Sequence, residues 1–381
     1  MPFYRAQGSI PPKHFTVLRR PSGERYYEEL LSSSGFNGPA ALLYRLRNST
    51  RVARVEELPV PVLERWDDGT IRNHRVDVEQ IKGSGAEFEA RTTLFFNEDL
   101  IYSVSKPTET GSRFYRNGFR DELLLISEGS GVFESVFGEI AYGPLDFLYV
   151  PRGTTWRLRP DSTEHTIIVL ETRTAVGPPE RYRNASGQFL ARSLYSERDI
   201  RGPVLGDPVD QEGMFEVAVR SDDRFSLYTL DAHPFDVVGW DGALYPYALN
   251  MMDLEPLSGR VNLMPDMHQV FGSDGTVISA VVPSRLPDHP NAYPGILDHN
   301  SDCDEIFYRV SSGAERIPDV GKVTLHTRAA QHGPKPGREL ARPGLTSNLV
   351  GMIIDTIRPM RLNVAAREFD DTGYIQAWMS K

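Results

Sequence analysis

The chain lacks the features that mark several large classes of protein. Its 381 residues include a single cysteine, Cys303, so no internal disulfide can form and no metal site can be built from several thiolates. Apolar runs such as residues 277–282 are far shorter than the about 20 residues that cross a bilayer. The first residues contain no apolar stretch followed by a small-residue cleavage site. These absences predict a cytoplasmic protein that does not engage a membrane.

Dense clusters of basic residues are also absent. The formal net charge is −10, from 42 Lys and Arg against 52 Asp and Glu, and no group of basic residues marks a phosphate-binding surface. We therefore expect no nucleic-acid partner. With 40% hydrophobic and 25% charged residues the composition is that of a folded globular protein, and the length suits two domains or one large β-rich unit.

Glycine and proline, 32 and 28 residues, divide the chain into short apolar segments. These segments have the length of strands and are bounded by turn residues, which predicts an all-β fold with few short helices. They lie at residues 122–127, 131–137, 146–151, 166–172, 225–230, 276–283, 305–310 and 322–327. A helix is predicted over residues 25–35, where Gly35 would form the C-cap.

Two stretches of the chain resemble each other. Residues 121–156 and residues 304–333 both begin Asp-Glu, run into a strand, reach a glycine turn and continue after a second glycine along another strand. Paired segments of this kind resemble the motifs of a cupin, a jelly-roll β-barrel. The resemblance implies two barrels: an N-terminal extension and barrel over residues 1–200, and a second barrel over residues 201–381. The Gly- and Pro-rich residues 201–213 would join them.

The two copies differ in the polar residues that could bind a metal ion. In cupins one histidine and one glutamate of the first motif and a histidine of the second motif hold the metal. The N-terminal copy has Glu122, but no histidine precedes it and Trp156 occupies the place of the later histidine, so this barrel is expected to be metal-free. The C-terminal copy has His299, Glu305 and His332, which we expect to be metal ligands.

Such a ligand set has a defined chemistry. Two imidazoles and one carboxylate leave about three open positions on an octahedral ion, which is the ligand set of non-haem Fe(II) oxygenases. Zn²⁺ and Mn²⁺ accept the same ligands, so the ligand types alone do not fix the metal.

Longer stretches resemble one family, the homogentisate 1,2-dioxygenases. The most specific are HPFDVVGWDG, within residues 233–250, and QHGP, at residues 331–334. The resemblance implies that His299, Glu305 and His332 hold Fe(II) and that His326 lies near the substrate. The reaction would be O₂-dependent cleavage of the homogentisate ring to maleylacetoacetate, a step of tyrosine breakdown. The resemblance also implies a homo-oligomer, either a trimer or a dimer of trimers.

Two positions depart from the family pattern. Asn300 follows His299 where family members often carry an arginine that can meet the substrate carboxylate. Asn262 stands where the acid/base histidine is expected, with His268 six residues later. We therefore consider His268 and His326 as candidates for the catalytic base that takes the proton of a phenol, because an imidazole titrates near neutral pH.

The substrate is expected to be a small aromatic acid, with O₂ as co-substrate. Asn300 is one candidate substrate-binding residue and Tyr308 is another, although strand alternation turns Tyr308 away from Glu305 unless a bulge intervenes. The sequence does not decide whether the substrate carboxylate is bound by Arg285, Arg309, Lys335 or none of them.

Three other functions stay open. The first is a dioxygenase for a different hydroquinone or catechol-like acid, which Asn300 and Asn262 favour. The second is a bicupin that binds a small molecule without chemistry, although an intact set of two histidines and a glutamate argues against it. The third is a Zn²⁺ or Mn²⁺ isomerase, which would work without oxygen.

Overall fold

The computed structural model describes residues 3–67, 69–255, 260–261, 268–291, 299–310, 319–333, 344 and 346–379. These residues form 27 strands in five sheets, which confirms the predicted all-β class. Short 3-10 helices lie at Ser34–Phe36, Val78–Gln80, Glu180–Tyr182, Glu197–Asp199, Met251–Asp253, Val364–Phe369 and Tyr374–Trp378. No helix among the described residues is long and apolar enough to span a membrane.

Two large sheets enclose an apolar core in the first part of the fold. The eight-stranded sheet consists, in spatial order, of Tyr247–Asn250 (β19), Asp146–Val150 (β13), Asp121–Glu128 (β10), Thr166–Thr172 (β15), Leu100–Ser105 (β8), Arg91–Phe96 (β7), Arg361–Asn363 (β27) and Arg65–Trp66 (β5). The seven-stranded sheet consists of Gly138–Tyr142 (β12), Gly131–Ser135 (β11), Thr155–Pro160 (β14), Phe114–Asn117 (β9), Glu212–Ser221 (β16), Arg224–Ala232 (β17) and Val52–Leu58 (β4). Side chains of both sheets, among them Trp156 of the seven-stranded sheet and Leu124 of the eight-stranded sheet, form one buried cluster.

A six-stranded sheet carries the later part of the chain. In spatial order it contains Gln269–Ser273 (β20), Thr276–Val281 (β21), Val350–Thr356 (β26), Asp304–Val310 (β23), Lys322–His326 (β24) and His74–Asp77 (β6). The remaining sheets are four strands, Arg5–Gly8 (β1), Val237–Gly242 (β18), Ala40–Arg45 (β3) and Tyr27–Ser32 (β2), and two strands, Ser284–Arg285 (β22) and Thr346–Ser347 (β25). Every segment predicted above as a strand overlaps a strand of the structure.

The two halves of the chain exchange strands. Strands β16 to β19 follow residue 200 but pair with β4, β9, β13 and β3 of the N-terminal half. In return, β6 of the N-terminal half pairs with β24. Strand pairing therefore joins the segments before and after residue 200 in both directions. The division into two barrels at residues 200 and 201 stays a prediction.

The helix predicted over residues 25–35 is wrong. Tyr27–Ser32 form β2, which pairs with β3 from Tyr27 opposite Arg45 to Ser32 opposite Ala40. Glu29 and Leu31 are half-buried while Glu28 and Leu30 are exposed, which is the period of a strand. The apolar strand β3 supplies main-chain hydrogen bonds that outweigh the local preference for a helix.

The internal repeat is visible in matching contacts. Asp121 accepts hydrogen bonds from Arg152, at 3.3 Å from the main-chain N and 2.7 Å from Nε. Asp304 accepts the same pair from Arg328, at 2.9 and 3.0 Å. In each copy the aspartate therefore fixes the start of the loop that follows the partner strand.

Candidate metal centre

Two adjacent strands bring a glutamate and a histidine together. Glu305 is the second residue of β23 and lies directly opposite His326, the last residue of β24. Directly opposed residues of an antiparallel pair have neighbouring side chains on one face of the sheet. His332 lies six residues farther along, in the loop after β24.

The three side chains form a compact group. His326 Nδ1 lies 2.7 Å from Glu305 Oε1, and His332 Nε2 lies 3.6 Å from the same oxygen. The two imidazole rings are stacked, with centroids 4.3 Å apart and an angle of 20° between their planes. One donor atom from each residue lies within 4.8 Å of the others, so the group has the donor types and the spacing of a metal site.

The protonation states suit a metal ligand set. Burial alone would raise the pKa of Glu305, but hydrogen bonds from His326 and His332 outweigh it and lower the pKa to about 2. Burial is the largest influence on His326 and lowers its pKa, although Glu305 acts in the opposite direction. At neutral pH the site therefore holds a carboxylate, the form that binds metal ions, and a neutral imidazole, which can bind a metal ion or accept a proton.

The structure joins two of the three predicted ligands and adds His326 to them. Glu305 and His332 belong to the group, whereas His299 does not and is exposed. Asn300, its neighbour, accepts a main-chain hydrogen bond from Ala329 at 2.8 Å. Its Nδ2 is buried and has no hydrogen-bond partner within the part of the chain that the structure describes.

Tyr308 lies on the other face of β23. The strand pairs with β26 without a bulge from Asp304 to Val310. Tyr308 is three residues after Glu305, so the two side chains point to opposite faces of the sheet. Its hydroxyl lies 2.8 Å from Ser127 Oγ, and burial raises its pKa to about 12. This placement gives Tyr308 a role in the core and does not bring it to the candidate metal centre.

His268 immediately precedes β20, at the far edge of the six-stranded sheet. Strands β21, β26 and β23 lie between β20 and β24, and His268 is not a member of the group around Glu305. Burial lowers its pKa. Asn262 and Lys335, singled out above, lie outside the described residues.

Phe307 and Arg309 of β23 lie on the same face of the strand as Glu305. Phe307 and Arg309 lie two and four residues on, and the Arg309 guanidinium is 4.5 Å from the centre of the Phe307 ring. Arg309 Nη1 lies 3.6 Å from Asp319 Oδ2, too far for a hydrogen bond, and is buried without a hydrogen-bond partner among the described residues. The face thus presents a carboxylate, an aromatic ring and a guanidinium in a line.

The N-terminal copy has different neighbours around its glutamate. Glu122 lies opposite Val150, in the register that sets Glu305 opposite His326. Arg91 Nη1 lies 2.7 Å from Glu122 Oε1, and Arg91 also contacts Glu87 and Glu171. Burial, with Glu171 and Glu87 nearby, raises the pKa of Glu122 although Arg91 opposes it. In this copy the chain itself supplies the positive charge beside the glutamate.

Comparison with known proteins identifies relatives along the whole chain. Residues 100–251 match the model of the N-terminal part of homogentisate 1,2-dioxygenase. A protein of Saccharolobus solfataricus, provisionally named as a dioxygenase, is 36% identical over 386 residues and covers 99% of both chains. The homogentisate 1,2-dioxygenase of Rhizobium meliloti is 23% identical, over 92% of this chain and 85% of that protein.

Among solved structures, a cupin 2 conserved barrel domain protein from Leptotrichia buccalis has 8% sequence identity and a TM-score of 0.36. The match covers 74% of this chain and 96% of that chain.

Proposed function

Because the chain belongs to the homogentisate 1,2-dioxygenase family, we propose that it is a metal-dependent dioxygenase that opens the ring of a dihydroxylated aromatic acid. Homogentisate, which would be converted to maleylacetoacetate, is the first candidate substrate. The observation that carries the proposal is the group of one ionised, half-buried glutamate at the start of β23 and two buried imidazoles at the end of β24 and in the loop that follows it.

The proposed metal is Fe(II), held by Glu305, His332 and His299. Glu305 and His332 are common to the ligand set that the family resemblance implies and to the group seen in the structure. The family resemblance implies His299 as the third ligand, and the stacked rings of His326 and His332, with nitrogen lone pairs in nearly parallel planes, argue against His326 in that role. Bound there, the ion would supply open positions for O₂ and a substrate oxygen and would lower the pKa of the phenol.

His326 is the proposed base. Its Nδ1 is engaged by Glu305, which leaves Nε2 as the nitrogen that can accept a proton. Burial keeps the ring neutral before the substrate arrives, because it disfavours the imidazolium form. The hydrogen bond to Glu305 then stabilises the charged ring after proton transfer, and the same arrangement can return the proton later.

Arg309 is the proposed partner of the substrate carboxylate. Four residues of strand separate it from Glu305, about 13 Å between Cα atoms, and Phe307 lies between them on the same face. An aromatic acid with its hydroxyl at the metal end would lay its ring near Phe307 and its carboxylate toward Arg309. Arg285 fits this role less well, because its side chain is 69% exposed and lies in a separate two-stranded sheet.

A second candidate is the same reaction on a different hydroquinone or catechol-like acid. Asn300 stands where family members often carry an arginine, so a different residue must bind the substrate carboxylate in this chain. If Arg309 of β23 binds the carboxylate, the substrate could carry a shorter or longer acid side chain than homogentisate.

Oxygen consumption by the Fe(II)-loaded protein tests the proposal. We expect uptake with homogentisate or with a related acid such as 2,5-dihydroxybenzoate, and none after Glu305→Gln. Glu98→Gln is a matched control, since Glu98 is an exposed glutamate paired with Arg361. Absence of uptake with every dihydroxylated acid tested, in protein shown to hold Fe(II), would rule the dioxygenase out.

A further inference from the structure

One residue of the N-terminal half reaches the candidate metal centre. Asn73 immediately precedes β6, which pairs with β24 from Lys322 opposite Asp77 to Leu325 opposite His74. Extending this register by one residue sets Asn73 opposite His326 and on the same face as Glu305. Asn73 is completely buried, although its side chain is polar.

The side chain of Asn73 holds the loop that carries His332. Its Nδ2 donates a hydrogen bond of 3.1 Å to the carbonyl oxygen of Gln331, the peptide group directly before His332. The hydroxyl of Thr327, at the start of the loop, donates to the carbonyl oxygen of Arg72 at 3.0 Å. Both ends of the loop are therefore tied to residues 72 and 73.

Asp370 fixes residues 72 to 74 from the opposite side. Its carboxylate, whose side chain is completely buried, lies 2.5 Å from Arg72 Nη2 and 3.4 Å from His74 Nδ1. Alternation along the strand turns Arg72 and His74 toward Asp370 and leaves Asn73 facing the candidate metal centre. Residues 72 to 74 are thus fixed by Asp370 on one side, and on the other side they fix the loop that carries His332.

We propose that Asn73 is a positioning residue for the metal centre, and that it sets the place of His332 through the Gln331 carbonyl. The inference rests on the proposed function, because it assumes that His332 is a metal ligand. Groups that orient a ligand typically change metal affinity by about 10- to 100-fold when they are removed.

A second observation separates this role from ordinary packing. Asn73 Oδ1 is buried and has no hydrogen-bond partner among the described residues. A buried acceptor without a partner is unfavourable for folding, and this cost is accepted at a residue whose Nδ2 makes the hydrogen bond to the Gln331 carbonyl. The asparagine fits a site where a polar group is needed beside the cluster.

Metal affinity of Asn73→Leu, measured by competition with a chromophoric chelator for Co²⁺ and Zn²⁺, tests the proposal without any assay of turnover. Asn363→Leu is the matched control. Asn363 is also buried and joins two segments, through Glu64 N at 3.0 Å and Thr93 O at 3.0 Å, but it lies on β27. Thermal unfolding of both metal-free variants measures their losses of stability.

We expect Asn73→Leu to bind metal about 10- to 100-fold more weakly than the unchanged protein and Asn363→Leu to bind it equally well. Equal affinity in both variants would overturn the inference and leave the proposed function standing. If Asn73→Leu does not fold, Thr327→Val decides in its place, since it removes only the second tie of the loop. An unchanged protein that binds no divalent ion would overturn the proposed function and this inference together.

Discussion

Replacement of His326 by asparagine should abolish most turnover and leave the metal in place. The reason is the relation between the two imidazole rings. Nitrogen ligands lie ~2.1 Å from a metal ion, so two of them at a right angle are ~3 Å apart with both lone pairs directed at one point. The rings of His326 and His332 are 4.3 Å apart and only 20° from parallel, and a lone pair lies in the plane of its ring. The two lone pairs therefore do not converge.

The size of the effect follows from the roles assigned. An asparagine side-chain nitrogen can replace His326 Nδ1 as a donor to Glu305, so the carboxylate keeps its hydrogen bond and metal affinity should change less than tenfold. Loss of a general base lowers a rate by about 10²–10⁴-fold, which corresponds to about 3–5 kcal/mol in the activation barrier. His332→Asn and His299→Asn should instead lose the metal.

Three variants assayed in parallel decide the matter. Metal content after gel filtration and dissociation constants for Co²⁺ report on ligation, and oxygen uptake with the best acid substrate reports on turnover. A protein that keeps its metal in His299→Asn and loses it in His326→Asn would refute the argument from ring geometry and make His326 the third ligand.

Two further predictions concern charge. Arg309→Gln should raise KM for an aromatic acid roughly 10- to 100-fold, because a hydrogen bond to a charged group contributes about 1.5–3 kcal/mol, and should leave KM for a diol without a carboxylate unchanged. Steady-state oxygen uptake measures both, and an equal rise for the two substrates would contradict the assignment. Arg91→Met should cost about 3–5 kcal/mol in the free energy of unfolding at pH 8, because Glu122 and Glu87 lose their buried partner. The loss should shrink at pH 5, since protonation neutralises these carboxyl groups; an equal loss in urea titrations at both pH values would contradict this.

The parts of the site that follow local rules could be predicted from the sequence. The Asp-Glu pair at the start of a strand, repeated at residues 121 and 304, located Glu305, and the resemblance to cupin motifs implied that Glu305 and His332 are metal ligands. Alternation also indicated that Tyr308 faces away from Glu305, as the unbroken register shows. The positions of these residues needed only the period of a strand and the repeat of a motif, and the ligand roles needed the resemblance to a known family as well.

Contacts between distant segments could not be predicted in this way. Asn73 and Gln331 are 258 residues apart, and nothing in the sequence indicates that β6 adds itself to the edge of β24. The same lack of pairing information made residues 25–35 look helical, because the hydrogen bonds that β3 offers to β2 are invisible in the segment itself. The local sequence pattern indicates which residue types lie at a site, whereas the pairing register of the strands determines which residues lie next to them.

The two copies of the repeat show how one scaffold can hold different charges. Each begins with an aspartate that fixes an arginine just after the partner strand, Asp121 with Arg152 and Asp304 with Arg328, so the main chain around each glutamate is set in the same way. The guanidinium of Arg91 beside Glu122 is a permanent charge attached to the chain, which offers no open position to a substrate.

Glu305 instead faces imidazoles, which can accept a proton or a metal ion. Substitutions around Glu122 should accordingly change the free energy of unfolding, and substitutions around Glu305 should change metal binding and turnover.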